Sequence, residues 1–469
     1  MGSTPTNANP PESEPGEKVA PPDVLRKAVA ASALGNATEW FDYGVYAYVA
    51  TEIGDAFFPG DYSTLGALLV FAVSFVLRPL GGIVWGPLGD RLGRSTILAT
   101  TILLMCVATF LVGCLPTYDS VGILAPILLI ILRVVQGFST GGEYGGAATF
   151  MAEYSPDKKR GFWGSFLEFG TLGGFTAAVV VVFVVNQIVG DQAMHDWGWR
   201  IPFLLSLPLG GIGLYLRLKM EDTPVFQELE SEGESESGAT TALKDLFVNH
   251  WRPILQLFGL VIALNIANYT LLAYMPTYLQ ETLDMSSSST DLLVIIGQVC
   301  MMAVIPVAGS LSDRIGRKPC WWISLVGLFI LAAPMFWLMS KGFVWAVIGF
   351  TVMGLVYLLQ LGTISATFPA MFPTQVRYSG MAISYNVATA AFGGTALAVN
   401  EHFIKVTGNN LFPAFYMMGA MVIGMIALYF VVETKGASLR GTGTPGVISR
   451  PAGRRPGGPS RRPQPDPML

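Results

Sequence analysis

Glu39 and Asp42 stand three positions apart in Asn36-Ala37-Thr38-Glu39-Trp40-Phe41-Asp42-Tyr43. In a helix that spacing puts both carboxylates on one face. The stretch around them reads as a membrane span, and ionisable groups inside a span are costly and usually functional. Two carboxyls close together in a poorly solvated site favour keeping at least one proton. That is the chemistry a proton-coupled carrier needs. The competing role is a pair near the membrane surface, satisfied by water or a basic partner.

A second constellation is Arg133, Gln136, Thr140 and Glu143, within a broad stripe of another helix face. Arg133 lies too deep in its span to reach the surface easily. A planar guanidinium suits a substrate carboxylate, held bidentately. The competing role is an internal pair with Glu39, Asp42 or Glu143 that only holds helices together, and the two roles are compatible. Glu143 and Glu168 join Glu39 and Asp42 as proton-coupling candidates, Glu168 ranking lower because water can reach it from the nearby helix end. Arg78 is as consistent with a structural role as with a functional one.

The second half of the chain is poorer in charge. Its candidates are Asn265, Asn268 and Tyr269, which share a helix face, with Gln298, Gln360, Thr363, Tyr385 and Asn386. Singly each is more often an interhelical hydrogen bond; together they suit the neutral wall of a pocket facing a charged first half. Trp40, Tyr43, Tyr46 and Tyr269 offer ring faces for a quaternary ammonium, although packing is the commoner use of such rings. The three histidines, His195, His250 and His402, fall in loops or at span ends, which argues against a histidine relay or metal site in the membrane. No nucleophile elbow or Walker loop is present. Neither enzymatic activity, a metal nor a cofactor is expected beyond a coupling proton.

These side chains need helices to hold them. The chain is 52% hydrophobic and 13% charged, with mean hydropathy +0.52, where a soluble domain carries about 25% charge. The net charge of −4 argues against nucleic acid as a partner. The four cysteines have neither metal nor disulfide-framework spacing, and no signal peptide precedes the first span. Spans of roughly 20 apolar residues fall near 29–52, 64–88, 96–115, 122–152, 162–190 and 199–218, then near 254–280, 290–312, 320–340, 343–371, 380–404 and 410–432. The expectation is an all-α integral membrane protein of twelve transmembrane helices in two six-helix halves. Its parts are a disordered cytoplasmic N-tail (1–26), an N-terminal bundle (27–218), an acidic cytoplasmic linker (219–253), a C-terminal bundle (254–433) and a disordered, basic, Pro/Gly-rich C-tail (434–469). Of the 28 Lys and Arg, only Arg200, Lys341 and Lys405 fall on one side and Arg78 and Arg133 within spans. The positive-inside rule then places both termini in the cytoplasm. Gly137, Gly141 and Gly145 repeat every fourth position and predict close packing of the fourth span on a neighbour.

The halves share a motif. Gly86-Pro87-Leu88-Gly89-Asp90-Arg91-Leu92-Gly93-Arg94 returns as Gly309-Ser310-Leu311-Ser312-Asp313-Arg314-Ile315-Gly316-Arg317, and a weaker echo joins Arg160-Gly161 to Arg377. Such repeats mark transporters built from duplicated halves. Asp90, Arg91, Arg94, Asp313, Arg314 and Arg317 are expected to form conformational latches that pair with helix ends in one state and release in another.

The paired loops resemble the signature of the major facilitator superfamily over about 30–435. Arg78-Pro79-Leu80-Gly81-Gly82, Gln136-Gly137-Phe138-Ser139, Gly141-Gly142-Glu143-Tyr144, Glu153-Tyr154-Ser155-Pro156, Trp197-Gly198-Trp199-Arg200-Ile201-Pro202-Phe203 and Glu221-Asp222-Thr223-Pro224 are similar to its metabolite:proton symporters. Tyr274-Met275-Pro276-Thr277-Tyr278 and Pro369-Ala370-Met371-Phe372-Pro373-Thr374 are most like the members that carry proline and glycine betaine. The resemblance implies a multi-pass protein of the plasma (inner) membrane that takes up a zwitterionic osmolyte with a proton. Arg133 would hold the solute carboxylate, Glu39 and Asp42 would serve the proton and the ammonium, and Gln136, Asn265, Asn268, Gln360 and Asn386 would line the site. Proton symport of an organic acid (a dicarboxylate or shikimate-like molecule), uniport and a non-transporting sensor are the alternatives. The sequence leaves the oligomeric state open.

Overall fold

The computed structural model describes residues 22–92, 94–141, 143–208, 210–211, 248–373, 376–439 and 445, and among them there is no strand. Helical units occupy the expected places. They are α1 (Pro22–Tyr48, continued by Ala50–Phe57), α2 (Ser63–Val76, then Arg78–Leu92), α3 (Arg94–Cys114) and α4 (Leu124–Ser139, then Glu143–Tyr154). Next come α5 (Arg160–Val189) and α6, which opens at Arg200–Leu204 and whose expected remainder past 211 lies outside the described residues. The second series is α7 (Trp251–Asn268), α8 (Ser287–Ile315), α9 (Arg317–Met339), α10 (Phe343–Leu361, then Ile364–Thr367), α11 (Arg377–Phe392, then Thr395–Thr407) and α12 (Phe412–Phe430).

Among the described residues, eight helices are long and apolar enough to cross a membrane, and α3 and α4 add the shorter apolar stretches Thr100–Cys114 and Leu124–Ser139. Their outward rows, such as Leu103, Val107 and Leu111 on α3 and Ile323, Val326 and Ile330 on α9, stay exposed as a lipid-facing surface must. α1 is not among the eight because Asn36, Glu39 and Asp42 dilute its apolar character, yet all three are buried inside the protein.

Several spans are broken, each for a local reason. Pro79 has no N–H for the carbonyl of Phe75, and α2 is interrupted at Leu77. Pro276 likewise cannot donate to Leu272. There α7 widens into π-type turns over Tyr269–Tyr274, and the hydroxyl of Tyr48 on α1 donates to the freed Leu272 carbonyl at 3.0 Å. α11 breaks at Gly393, where a Cβ would meet the ring of Tyr269. Two tail expectations need correction. α1 starts at Pro22 with Leu25 buried, and the segment up to Leu439 packs onto the protein with Leu439 itself buried. Leu25 joins the main apolar core, and Leu439 packs with Ala152 and Ala370.

Helices α1 to α6 pack mainly on one another, α1 on α5, α3 on α4 and α6, and α2 on α4. The second series does the same, α9 on α10 and α12, and α7 on α11 and α12. The halves meet where α5 packs on α8 and α2 on α11, with α1 against the widened part of α7. Glycines permit the closest approaches. A Cβ on Gly137 would strike the carbonyl of Ser74, and one on Gly141 that of Arg78, so α4 lies directly on the α2 backbone. Gly161 and Gly309, one from each half, face each other's carbonyls in the same way. Gly137→Ala is therefore expected to force α2 and α4 apart, costing about 1–3 kcal/mol and lowering the melting temperature of the detergent-solubilised protein, whereas Gly211→Ala, with nothing within 4 Å, leaves it unchanged.

Candidate functional site

A small cavity lies where the halves meet. Its walls are Trp40 from α1, Tyr144 from α4, Glu168 and Thr171 from α5, Leu264, Asn265 and Asn268 from α7, Tyr357, Leu361 and Ile364 from α10 and Tyr385 from α11. About 10 Å³ is open to the centre of a water-sized sphere, room for about one water and no solute. Glu168 is its one carboxylate. It accepts from the Tyr144 hydroxyl at 2.5 Å and from Thr171 Oγ1 at 2.9 Å. Tyr144 stacks on Tyr385 with ring centres 4.6 Å apart, one ring from each half. On the facing wall Asn265 donates to Thr389 Oγ1 at 2.9 Å, and the Tyr357 hydroxyl donates to Asn268 at 2.9 Å.

Behind this wall, inside the first half, is a second polar group. Asp42 accepts from Thr109 Oγ1 at 2.9 Å, and Gln136 Nε2 donates to the same hydroxyl at 2.5 Å. The Arg133 guanidinium lies 3.5 Å over the Tyr46 ring and within electrostatic reach of Asp42. Its Nε and Nη2 have no hydrogen-bond partner although the residue is 1% exposed. Glu39, by contrast, accepts from Arg78 Nη2 at 2.6 Å, both side chains being buried. Arg78 also sits 4.9 Å over the Tyr43 ring and 4.8 Å over that of Phe75. Tyr43 reaches Thr140 Oγ1 at 3.2 Å. Tyr269 closes the gap between the two groups, 6.0 Å from Trp40 and 5.2 Å from Phe75.

The expected site thus divides in two. Trp40, Glu168, Asn265 and Asn268 line the central cavity, while Asp42, Arg133, Gln136 and Tyr46 form a separate core a layer away. Tyr43, Tyr269 and the Glu39–Arg78 pair lie between. Gln360 does not join either: its amide points to Met421 Sδ of α12 at 3.7 Å. Asn386 bridges the halves at another level, donating to the Gly141 carbonyl at 3.3 Å. The side chain of Glu143 lies outside the described residues. Tyr144, Thr171 and Tyr357 carried no expectation as site residues, because a tyrosine or threonine in an apolar run gives no signal of which way it faces.

At the end of the molecule bearing the repeat loops, Asp313 caps a helix of the other half. Its two oxygens accept from the backbone amides of Gly161 and Phe162, both at 2.9 Å, at the positive end of the α5 dipole. Arg317 braces it at 2.7 Å. Glu433 accepts from the amides of Arg317 and Lys318 at 3.0 and 2.9 Å, and Arg314 contributes its carbonyl to Lys435 Nζ at 2.5 Å. The side chains of Asp90, Arg91 and Arg94 lie outside the described residues. The echo Arg160/Arg377 has a matching use. Arg160 donates to the carbonyl of Ala437 at 3.1 Å and Arg377 to that of Leu439 at 2.8 Å, one clamp from each half on one segment. The duplicated arginine was the signal for this pair.

Residues 32–399 match the Major Facilitator Superfamily. The chain is 45% identical to the proline/betaine transporter of Escherichia coli (strain K12) and 44% identical to the glycine betaine/proline/ectoine/pipecolic acid transporter OusA of Dickeya dadantii (strain 3937), each alignment covering 89% of this chain and 85% of the relative. It is 39% identical to the ectoine/proline transporter ProP of Corynebacterium glutamicum, over 90% of this chain and 87% of that one. Among solved structures, the proton:xylose symporter XylE bound to 6-bromo-6-deoxy-D-glucose aligns with a TM-score of 0.71 at 18% identity, over 89% of this chain and 98% of that one. That likeness is one of fold.

Two outcomes follow from the geometry. Arg78→Met leaves Glu39 buried without its cation and is expected to cost about 3–5 kcal/mol, seen as loss of folded protein that the double variant with Glu39→Gln largely restores. Asp313→Asn removes a charge from the α5 terminus, worth up to about 2 kcal/mol. It is expected to slow solute exchange while equilibrium solute binding stays within about twofold.

Proposed function

We propose that this chain, which belongs to the major facilitator superfamily, is a secondary active transporter that takes up proline, glycine betaine and similar zwitterionic osmolytes together with a proton, by alternating access. It would sit in the plasma (inner) membrane with the repeat loops and both termini in the cytoplasm, an orientation that the Lys and Arg distribution supports.

The observation that carries this reading is the make-up of the central cavity. One carboxylate, Glu168, stands among the rings of Trp40, Tyr144, Tyr357 and Tyr385, opposite the amides of Asn265 and Asn268. Ring faces and a carboxylate suit a quaternary or secondary ammonium. Amide and phenol donors suit the carboxylate at the other end of the same small molecule. The walls belong to both halves, so a solute held there is met by groups that part when either end opens. The high identity to transporters named for proline and betaine, running over nearly the whole chain, points to the same solutes.

Asp42 is the residue we assign to the proton. It is 3% exposed, bonded to a neutral hydroxyl, and within reach of Arg133. Glu39 is already committed to Arg78. A proton on Asp42 cancels its attraction for Arg133. The unpartnered Nε and Nη2 then look for another anion, whether a neighbouring acid or, once the layer between this core and the cavity shifts, the solute carboxylate that the cavity amides first receive. Loading of proton and solute would be linked through that one guanidinium.

The test is uptake of labelled glycine betaine and proline into proteoliposomes. With one proton per solute, an inward gradient of one pH unit supports up to about tenfold accumulation. Asp42→Asn is expected to abolish accumulation while solute–solute exchange continues. Accumulation unchanged in Asp42→Asn would move the proton elsewhere, and exchange of an organic acid without either osmolyte would move the solute to the carboxylate class.

A further inference from the structure

The end of the molecule opposite the repeat loops is also closed, and its seam is rich in acid. Contacts across it include Gln187 Nε2 to Ser288 Oγ at 2.8 Å, Gln298 Nε2 to the Tyr48 hydroxyl at 2.7 Å and Lys405 Nζ to the Asp61 carbonyl at 3.3 Å. The first half brings Glu52, Asp55 and Asp191 to this region, and the second half brings Glu281, Asp291 and Glu401. Most have a partner. Asp55 is 3.1 Å from His195, whose imidazole it raises above the usual range through that hydrogen bond. Glu401 is 3.1 Å from Lys405 and accepts from Tyr274 at 2.9 Å. Asp191 accepts from Asn186 at 3.0 Å, and Glu281 bonds to Thr51 across the seam.

Two carboxyls are left over. Asp291 on α8 is 1% exposed and its Oδ1 has no hydrogen-bond partner. Glu52, beyond the end of Pro22–Tyr48, has its buried Oε2 equally without one. They come from opposite halves and lie within electrostatic reach of each other, with Asp191 as the other acid acting on Asp291. Among the described residues no cation acts on Asp291, and the Tyr48 hydroxyl is the other titratable group it faces; His195 acts on Glu52 from the first half. A closed seam that buries an ionised Asp291 without a cation, within reach of a half-buried Glu52 that only His195 offsets, would be driven apart by both repulsion and desolvation. One proton removes most of that penalty.

We propose that Asp291, facing Glu52, is a second proton site: it takes a proton from water on this side of the membrane as the two halves close over it and returns that proton when they part. The step is a simple transfer, in which an O–H bond to hydronium breaks and one to the Asp291 carboxyl forms. On the orientation proposed above this is the outer mouth, so external acidity favours its closure. The site is distinct from Asp42 and independent of which solute is carried. Because closure binds one more proton than opening, the closed-to-open ratio rises up to tenfold for each unit fall in pH and is lost as pH rises.

Spin labels at the exposed positions Gln192 and Lys341, one on each half, report the width of this mouth by pulsed dipolar spectroscopy, with the exposed Cys114 and Cys300 replaced by Ser. The reference protein carries Asp42→Asn, so that the other proton site is silent. Between pH 8 and 5.5 its closed population is expected to rise. Adding Asp291→Asn should make the distances independent of pH, and Asp291→Glu should keep the dependence. Glu52→Gln should move the midpoint to lower pH and serves if Asp291→Asn fails to fold. A pH response that survives Asp291→Asn, a midpoint untouched by Glu52→Gln, or no response in the Asp42→Asn protein at all would overturn the proposal.

Discussion

A charge taken into a bilayer has to be met inside the protein, and the architecture of this chain is organised around that requirement. Arg78 is met by Glu39 at 2.6 Å. Asp42 is met by a hydroxyl and, at longer range, by Arg133. Asp313 is met by the amides of a helix end, and Arg160 and Arg377 by carbonyls of the segment after α12. Of these, Arg133 is met least completely. Its guanidinium rests on the Tyr46 ring with two nitrogens unpartnered. In a medium that penalises an unsatisfied cation, such a group responds to the arrival of any anion and to the protonation of its own acid. The polar core of the first half is therefore poised to register occupancy, whereas the Glu39–Arg78 pair is built to stay shut.

Both ends of the molecule are sealed, by different means. At the loop end the seal is ionic and dipolar. A carboxylate of one half caps a helix of the other, and two glycines bring the backbones together there. At the opposite end it is made of amides, hydroxyls and crowded carboxylates. The centre between them holds no more than about one water. A conformation closed at both ends is what a carrier must pass through if solute is never to see both sides at once. The two seals also use interactions of different character, so one can weaken while the other holds. Interfaces of this kind are bistable rather than continuously deformable.

Much of this was legible in the sequence. Hydropathy placed the helical units, and the four-residue glycine spacing in α4 marked a face for close packing, which lies on α2 so that a Cβ at Gly137 or Gly141 would meet its backbone carbonyls. The repeated loop located the Asp313 cap. What the sequence obscured was direction. On the sequence alone Arg133 and Glu39 are possible partners, yet Glu39 pairs with Arg78 at 2.6 Å, because helix spacing does not say which neighbouring helix a buried charge faces. Gln360 was read as lining the pocket and instead faces α12, because composition cannot tell which side of a nearly all-apolar helix looks inward. Tyr144, Thr171 and Tyr357 were invisible for the same reason. Leu439 was hidden in a polar, Pro- and Gly-rich stretch whose average composition masks the one residue that docks.

The central claim is that solute and proton cross together because both act on Asp42 and Arg133. Its most direct test is a proton flux driven only by solute. Liposomes holding the protein and a trapped pH dye, with equal pH on both sides and the membrane potential clamped by potassium and valinomycin, are given an inward gradient of glycine betaine. The account predicts acidification of the lumen in step with betaine entry, and none with Asp42→Asn. Betaine entering the liposomes while lumenal pH stays constant would contradict it.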